Sequence, residues 1–306
     1  MDLTDYADHF PTFFTGKSIK KKQTKKKLKK KSIHYSDIHD YEIFDPQNDN
    51  NSEIQDNNGN LTIYDKDDNK IIIRYADRLS LPQNCQKYWK QRYSIFSKFN
   101  DNIRLTSELW YSVTPEAIAD YIASYIKQNY TFTTNTASPQ KTSILDVFAG
   151  GGGNSIQFAY HFDKVIAIDI NFANLYCLKQ NSKVYQINEK IETIQKDWSQ
   201  INDAYLLSLK KDYNINFIFA SPPWGGPEYL NKDTFDLQND LKPFSLTDLL
   251  SGFLKITKNI GLFLPRNSDL NQLNQITKDL FGENSNCFVA KISLRTRTKG
   301  YCCFWC

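Results

Sequence analysis

The chain has 306 residues, the length of two ordinary domains or of one α/β domain with a tail, and is 40% hydrophobic, 24% charged and 14% aromatic, a globular composition. It has no run of 18 apolar residues, no secretory h-region in MDLTDYADHF and only six cysteines, which argues against a transmembrane helix, a secretory leader and a disulfide scaffold and fits a reducing intracellular compartment. The net charge of +4 is divided: residues 1–31 hold ten lysines and three aspartates, whereas the remaining 275 residues carry 28 Lys and Arg against 31 Asp and Glu.

The run from Lys17 to Lys31 has ten lysines in fifteen positions and only Ile19 and Leu28 as apolar residues, so it reads as a solvated arm. Such an arm suits a nuclear or nucleolar address and non-specific RNA binding. Residues 32–60 turn Asp/Asn-rich and read as linker. Residues 61–75 predict a short hairpin, and residues 84–99 place Tyr88, Trp89, Arg92, Tyr93 and Phe96 at helical spacing. Thr114-Pro115-Glu116 predicts a helix start with Thr114 as N-cap. Residues 130–141 read as a polar loop. Beyond Lys141, apolar runs alternate with helical segments. SILDVFAG, KVIAIDI, Ile191–Gln195, NFIFAS, ITKNIGLFLP, FVAKISLRT and GYCCFWC predict strands, with helices around Ser155–His161 and from Asn171. The pattern predicts an α/β fold with a mostly parallel, doubly wound sheet, whose ligands bind beyond the carboxyl ends of the strands.

That edge holds two groups of residues with chemical meaning. In Asp146-Val-Phe-Ala-Gly-Gly-Gly-Gly-Asn154, a strand runs through glycines into a helix. No Gly-Lys-Ser/Thr follows, and Ser155 stands at the third glycine of a dinucleotide fingerprint. Asp169, at the next strand end, suits a carboxylate accepting both hydroxyls of a ribose. Asp197, after a further strand, suits an acceptor for an adenine amino group, with Trp198 beside the ring. Asp146 would repel a pyrophosphate but tolerates an amine and a sulfonium, as in S-adenosyl-L-methionine.

The second group is Ser221-Pro222-Pro223-Trp224-Gly225-Gly226-Pro227. Pro223 restricts Pro222 to an extended backbone, which aims the Pro222 carbonyl. The Ser221 hydroxyl and that carbonyl make two fixed acceptors for the hydrogens of a planar exocyclic amine. Holding them favours the pyramidal geometry in which the nitrogen attacks a methyl group, with no strong base demanded. Trp224 offers a stacking face, worth about 1–3 kcal/mol per base and more for a cationic base. His161 reads as a helix-end residue rather than a base. Cys303 and Cys306 have C-x-x-C spacing but no second ligand pair, so no metal site is expected.

These residues resemble the Class I S-adenosylmethionine-dependent methyltransferases, and within them the trimethylguanosine synthase family of RNA cap guanine 2-amino methyltransferases. The resemblance runs from about Tyr88 to Arg266. It is carried by YWKQRYSIFSKFNDNIRL, LWYSVTPEAIADYIA, DVFAGGGGNSIQFA, VIAIDI, SPPWGGPEY and FLPRN. It implies a Rossmann-like Class I core at 131–306, a small helical N-terminal extension at 61–130 that contributes to the active site, and an arm and linker at 1–60. It implies two methyl transfers to the 2-amino group of a 7-methylguanosine cap on small nuclear and nucleolar RNAs. Carried over, it gives Thr114, Asp146, Gly150, Asp169 and Asp197 to the cofactor, Ser221 and Pro222 to the amine, and Trp224 to the methylated base. It gives Tyr229, Arg266, Asn267 and Arg104 to the cap triphosphate. Trp110 either lines the same pocket or locks the extension onto the sheet. Gly151 stands where the family has a bulkier residue, which implies a softer loop. The expected partners are capped RNA and, through the basic arm, small ribonucleoprotein proteins, with no membrane partner and a monomeric state. Two other readings stay open: an adenine amino-methyltransferase, against which Ser221 and Trp224 argue, and a non-catalytic cap-binding or ribonucleoprotein-assembly factor, against which Asp146, Asp169 and Ser221 argue.

Overall fold

A computed structural model of the chain describes residues 52–130, 141–294 and 297–306. The basic arm, most of the linker and nearly all of the 130–141 loop lie outside the described residues. No helix among the described residues is long and apolar enough to cross a membrane.

Seven strands form the main sheet: β4 (Ser143–Val147), β5 (Lys164–Asp169), β6 (Ile191–Gln195), β7 (Phe217–Ala220), β8 (Ile260–Pro265), β9 (Phe288–Leu294) and β10 (Arg297–Trp305). Their order is β6-β5-β4-β7-β8-β10-β9. The first five are mutually parallel, and β10 runs antiparallel to both β8 and β9. The order reverses between β4 and β7, which puts the ligand-binding crevice beyond their carboxyl ends. The expected mostly parallel sheet is therefore present, with each predicted strand in place.

The pleat sorts alternate residues to opposite faces. Ile144, Val165, Ala167, Phe217, Phe219 and Phe304 face α3 (Glu116–Asn129), α4 (Gly153–His161) and α5 (Phe172–Val184). Leu145, Val147, Ile166, Ile218, Leu262 and Trp305 face α6 (Asp203–Tyr213), α7 (Leu246–Leu254) and α8 (Leu270–Phe281). The first core also takes in the extension, through Ile63, Phe96, Phe99, Leu109 and Trp110.

The extension begins with a small antiparallel sheet, β1 (Ile54–Gln55), β2 (Leu61–Tyr64) and β3 (Lys70–Arg74). β2 and β3 are the expected hairpin. β1 lies inside the stretch read as linker, where the Asp56 carboxylate holds the amides of Asn58 and Asn60 in a tight turn. The helix expected over 84–99 is broken into a 3-10 turn at Gln86–Gln91 and a single α-turn, α1 (Arg92–Ile95). No residue of the 3-10 turn is buried, so no apolar stripe supports continuous i→i+4 bonding. Then come α2 (Leu109–Ser112) and α3. Thr114 does not cap α3. Its hydroxyl accepts from Asn154 Nδ2 at 3.1 Å, and Pro115 takes the N-cap position. Glu116, the acid of that first turn, instead accepts from the Ser97 amide and hydroxyl and from Tyr185, tying α1, α3 and α5 together. His161 is the last residue of α4 and lies beside Ser124 and Asp120 of α3.

Candidate active site

The loop after β4 packs against the extension with no room for side chains. A Cβ built on Gly153 would stand 2.8 Å from the Thr114 carbonyl oxygen, and one on Gly151 would stand 2.8 Å from Leu109 Cδ1. The glycine that departs from the family pattern is thus filled by Leu109 of α2. These contacts bring Thr114 against the start of α4.

Asp146 is fully buried, and one carboxylate oxygen accepts from Ser155 Oγ at 2.5 Å. Ser155 thereby explains its own place in the loop: it donates where a dinucleotide fingerprint would need a glycine. Burial pushes the Asp146 carboxyl up to about 7, and the nearby Asp169 charge adds to the rise. Asp169, at the end of β5, is 8% exposed. Its oxygens accept the amides of Asn171 and Gly150, each at 2.8 Å, and Oδ1 also takes Asn174 Nδ2 at 3.4 Å, which leaves a lone-pair direction on Oδ2. Burial raises its pKa as well. The Gly150 amide is therefore spent on Asp169. Asp197 caps a 3-10 turn, accepting from the Ser199 amide and hydroxyl through Oδ1. Trp198 follows it directly. It is 7% exposed in the core of the opposite face, edge-on to Phe253 of α7 at 5.3 Å.

Beyond β7, Ser221 is partly exposed and Pro222 is buried. Neither the Ser221 hydroxyl nor the Pro222 carbonyl has a hydrogen-bond partner among the described residues. Trp224 is half-buried. Its indole N–H donates to the Phe263 carbonyl at 3.3 Å, and its ring stands at steep angles to Tyr229 and Phe263, at 5.2 and 5.3 Å. Tyr229 lies in a 3-10 turn, Gly226–Asn231, packed against α2. Burial raises its pKa against the opposing pull of Arg266, and Tyr88 adds to the rise. Tyr88 also lies 6.2 Å from Tyr111 of α2. Arg266 is exposed at the end of β8.

Two expectations are corrected, and the alternative left open at Trp110 is decided. Arg104 does not present its charge to a ligand. It is buried, its guanidinium grips both carboxylate oxygens of Glu53 at 2.8 and 2.6 Å, and a third bond goes to the Asn102 carbonyl. Asn267 turns its amide inward, donating to the carbonyls of Tyr229 and Lys232 at 3.2 and 2.8 Å. It fastens the turn that carries Tyr229 instead of reaching out. Trp110 is 2% exposed, stacked on Trp89 at 5.4 Å and edge-on to Phe99, so it locks the extension.

A family model described as RNA cap guanine-N2 methyltransferase matches residues 141–306. The trimethylguanosine synthase of Saccharomyces cerevisiae is 41% identical over 220 residues, which is 72% of this chain and 66% of that protein. The one from Schizosaccharomyces pombe is 34% identical over 242 residues, 78% of this chain and 93% of that protein. The chain belongs to the RNA cap guanine-N2 methyltransferase family. Among solved structures, a putative methyltransferase from Porphyromonas gingivalis W83 aligns with a TM-score of 0.52 at 15% identity, covering 72% of this chain and 48% of that one. The METTL16 methyltransferase domain aligns with a TM-score of 0.51 at 11% identity, covering 72% and 95%. These two likenesses support the Class I methyltransferase fold.

The family's S-adenosylmethionine fits the residues around the glycine loop. Asp146 Oδ1, Asn154 Oδ1 and Asn174 Oδ1 are buried acceptors without a hydrogen-bond partner. Three orphaned acceptors beside a buried carboxylate pair call for a ligand rich in donors and positive charge, as an ammonium, a sulfonium and a ribose diol provide. Asn154 and Asn174 were absent from the sequence-based set, although Asn154 directly follows the glycines. Lys299 was absent from it too. Antiparallel pairing of β10 with β8 sets Gly300 opposite Pro265, which carries Lys299 to Arg266. Burial together with Arg297 and Arg266 lowers the Lys299 pKa. No local signal marks Lys299, because the register between β8 and β10 alone makes it a neighbour of Arg266.

Proposed function

We propose that this chain transfers methyl groups from S-adenosyl-L-methionine to the exocyclic 2-amino group of 7-methylguanosine RNA caps, twice in succession, giving the 2,2,7-trimethylguanosine cap. The observation that carries the reading is the pair of unengaged acceptors, Ser221 Oγ and the Pro222 carbonyl, next to the anchored ring of Trp224. Bound S-adenosylmethionine supplies a methyl group on positively charged sulfur. Asp146, Asp169, Asn154, Asn174, Asp197 and Thr114 would hold it, with Asp146, Asn154 and Asn174 each offering a buried oxygen that no other residue occupies. Ser221 and Pro222 accept the two amine hydrogens, which turns the nitrogen lone pair toward the methyl carbon. Transfer of the methyl group from sulfur to nitrogen would leave a neutral thioether and a cationic amine, and that amine would release one of those hydrogens to water as a proton. The second transfer needs only one of the two acceptors. Trp224 stacks on the base and favours its 7-methylated, cationic form. Arg266, Lys299 and Tyr229 meet the cap polyphosphate. Small nuclear and nucleolar RNAs in the nucleus and nucleolus are the proposed substrates and place of action, with the basic arm contacting RNA and small ribonucleoprotein proteins and the enzyme acting as a monomer.

Mass spectrometry of a 7-methylguanosine cap dinucleotide, incubated with the protein and S-adenosylmethionine, tests the reading. Sequential gains of one and two methyl groups are expected, with none on the unmethylated cap. Trp224→Ala should lower kcat/KM by about 10- to 100-fold, the loss of one stacked base. No gain by the parent protein, despite cofactor binding, overturns the proposed acceptor.

A further inference from the structure

The stretch from Arg78 to Asn100 is basic in a fold whose sum is slightly acidic. It holds Arg78, Lys87, Lys90, Arg92 and Lys98 and no acid, although residues 32–306 as a whole carry more acids than bases. None of the five takes part in an ion pair among the described residues. Arg78, Lys87 and Lys90 are exposed. Lys98 is taken up by packing, on the Val184 carbonyl and the Tyr185 ring, whereas Arg78, Lys87 and Lys90 keep their charge in water, where it is available to a polyanion.

Aromatic rings are interleaved with these cations. The Arg92 guanidinium lies 4.3 Å from the Tyr93 ring centroid and 5.1 Å from that of Trp89. It is pinned there by bonds to the Trp89 carbonyl and the Tyr93 hydroxyl. Tyr93 in turn donates to Asn100 Oδ1 at 3.2 Å and meets Phe99 edge-on, yet it is 45% exposed. A large ring held in one orientation and still presented to water has its ordering entropy already spent, as a stacking platform requires. The segment is also continuous with the candidate site. The 3-10 turn Gln86–Gln91 carries Tyr88, which stands by Tyr111 and influences Tyr229, and ends on Lys90 and Gln91, just ahead of Tyr93.

We propose that this surface binds the RNA chain that follows the cap. Arg78 and Lys90 take backbone phosphates, and the Arg92–Tyr93 pair takes a nucleobase. The contact is independent of sequence, because phosphates and π-faces are common to all nucleotides. The inference rests on the cap-methylation reading and adds to it a second contact outside the methyl-transfer site.

The test compares a capped RNA of about 20 nucleotides, the same RNA uncapped, and the cap dinucleotide, using the full chain. For Arg78→Gln/Lys90→Gln, KM on the capped RNA should rise about tenfold while kcat/KM on the dinucleotide stays within about twofold. The slope of log affinity against log salt for the RNA should fall by about 1.4, the share of two phosphate contacts on a single strand. Tyr93→Ala should weaken RNA binding about fivefold or more without lowering the salt slope. Unchanged RNA affinity in both variants, or an equal loss on RNA and dinucleotide, overturns the proposal. The uncapped RNA is read by binding alone, so the RNA contact is tested even where the parent protein methylates no cap. A Lys90→Gln single variant gives the same reading, at half the change in salt slope, if the double variant folds poorly.

Discussion

Asp146 couples the chemistry of the site to pH. Its carboxyl is raised to about 7 by burial, so near neutrality it is only partly ionised until a cation arrives. A ligand with an ammonium and a sulfonium favours the ionised form, and binding then releases a proton. Affinity for S-adenosylmethionine should therefore rise about tenfold between pH 6 and pH 8, with a heat of binding that depends on the buffer. Titration calorimetry in two buffers measures both. Asp146→Asn should weaken binding and flatten the pH dependence; a pH-dependent affinity that survives the substitution would assign the proton to another group. Stability has the opposite slope. A carboxyl raised from 3.8 contributes stability that is intact below that value and lost as pH rises through about 7. The ligand-free Asp146→Asn protein should thus melt no lower than the parent at pH 8, since Ser155 Oγ can still donate to the amide oxygen. A site residue whose loss costs affinity and not stability is held in place for its ligand.

At the scale of elements, the glycine loop shows why the extension belongs to the site. Gly151 and Gly153 are both closely approached, but by different partners. The neighbour at Gly151 is the end of a leucine side chain, which can change rotamer. At Gly153 it is the Thr114 backbone, which cannot give way without moving the extension. Gly153→Ala should therefore cost about 1–3 kcal/mol and weaken cofactor binding, whereas Gly151→Ala should cost less and be relieved by Leu109→Ala. Urea denaturation and cofactor titration of the three proteins would decide it; equal costs at the two glycines would mean that the loop itself, and not the docked extension, is the constraint. The loop was legible as a local string, as were the strands, which are continuous apolar runs because both faces of the sheet are covered. Helices α6, α7 and α8 were not read, although each has a side-chain N-cap, and Ser245 and Asp248 of α7 form a reciprocal cap ahead of a leucine stripe. Those signals were present and local. The helix over 84–99 failed for the opposite reason: its periodic aromatics serve two short turns and the stacking of Trp89 on Trp110, a contact that sequence spacing does not report.

At the scale of the whole molecule, the folded unit starts earlier than composition suggests. The resemblance gave Arg104 to the cap triphosphate, and nothing local marked its partner, Glu53, which stands 51 positions upstream in an Asp/Asn-rich stretch. The pair is mostly buried, with side-chain exposures of 9% and 23%, and Tyr176 of α5 adds its hydroxyl to the same carboxylate at 3.3 Å. Removing one member of such a pair strands a charge away from water, and that penalty exceeds what the pair contributes when intact. Truncation therefore has a sharp position dependence. A protein beginning at Ser52 retains Glu53 and β1 and should unfold with the parent. One beginning at Leu61 leaves Arg104 unpaired and β2 without its edge partner, and should lose about 3 kcal/mol in urea denaturation. Adding Arg104→Met to the shorter protein should recover part of that loss, because it removes the stranded charge. Recovery would assign the penalty to Arg104; equal stability of the two truncations would mean that the segment from Glu53 to Asn60 only rests on the fold. The outcome also bears on the site. Arg104 holds the Asn181 side chain through its own amide and carbonyl, and Asn181 in turn donates to the carbonyl of Gly151. The chain therefore runs without a break from the Asp/Asn-rich stretch to the glycine loop, and a truncation that frees Arg104 should loosen the cofactor site as well as the extension.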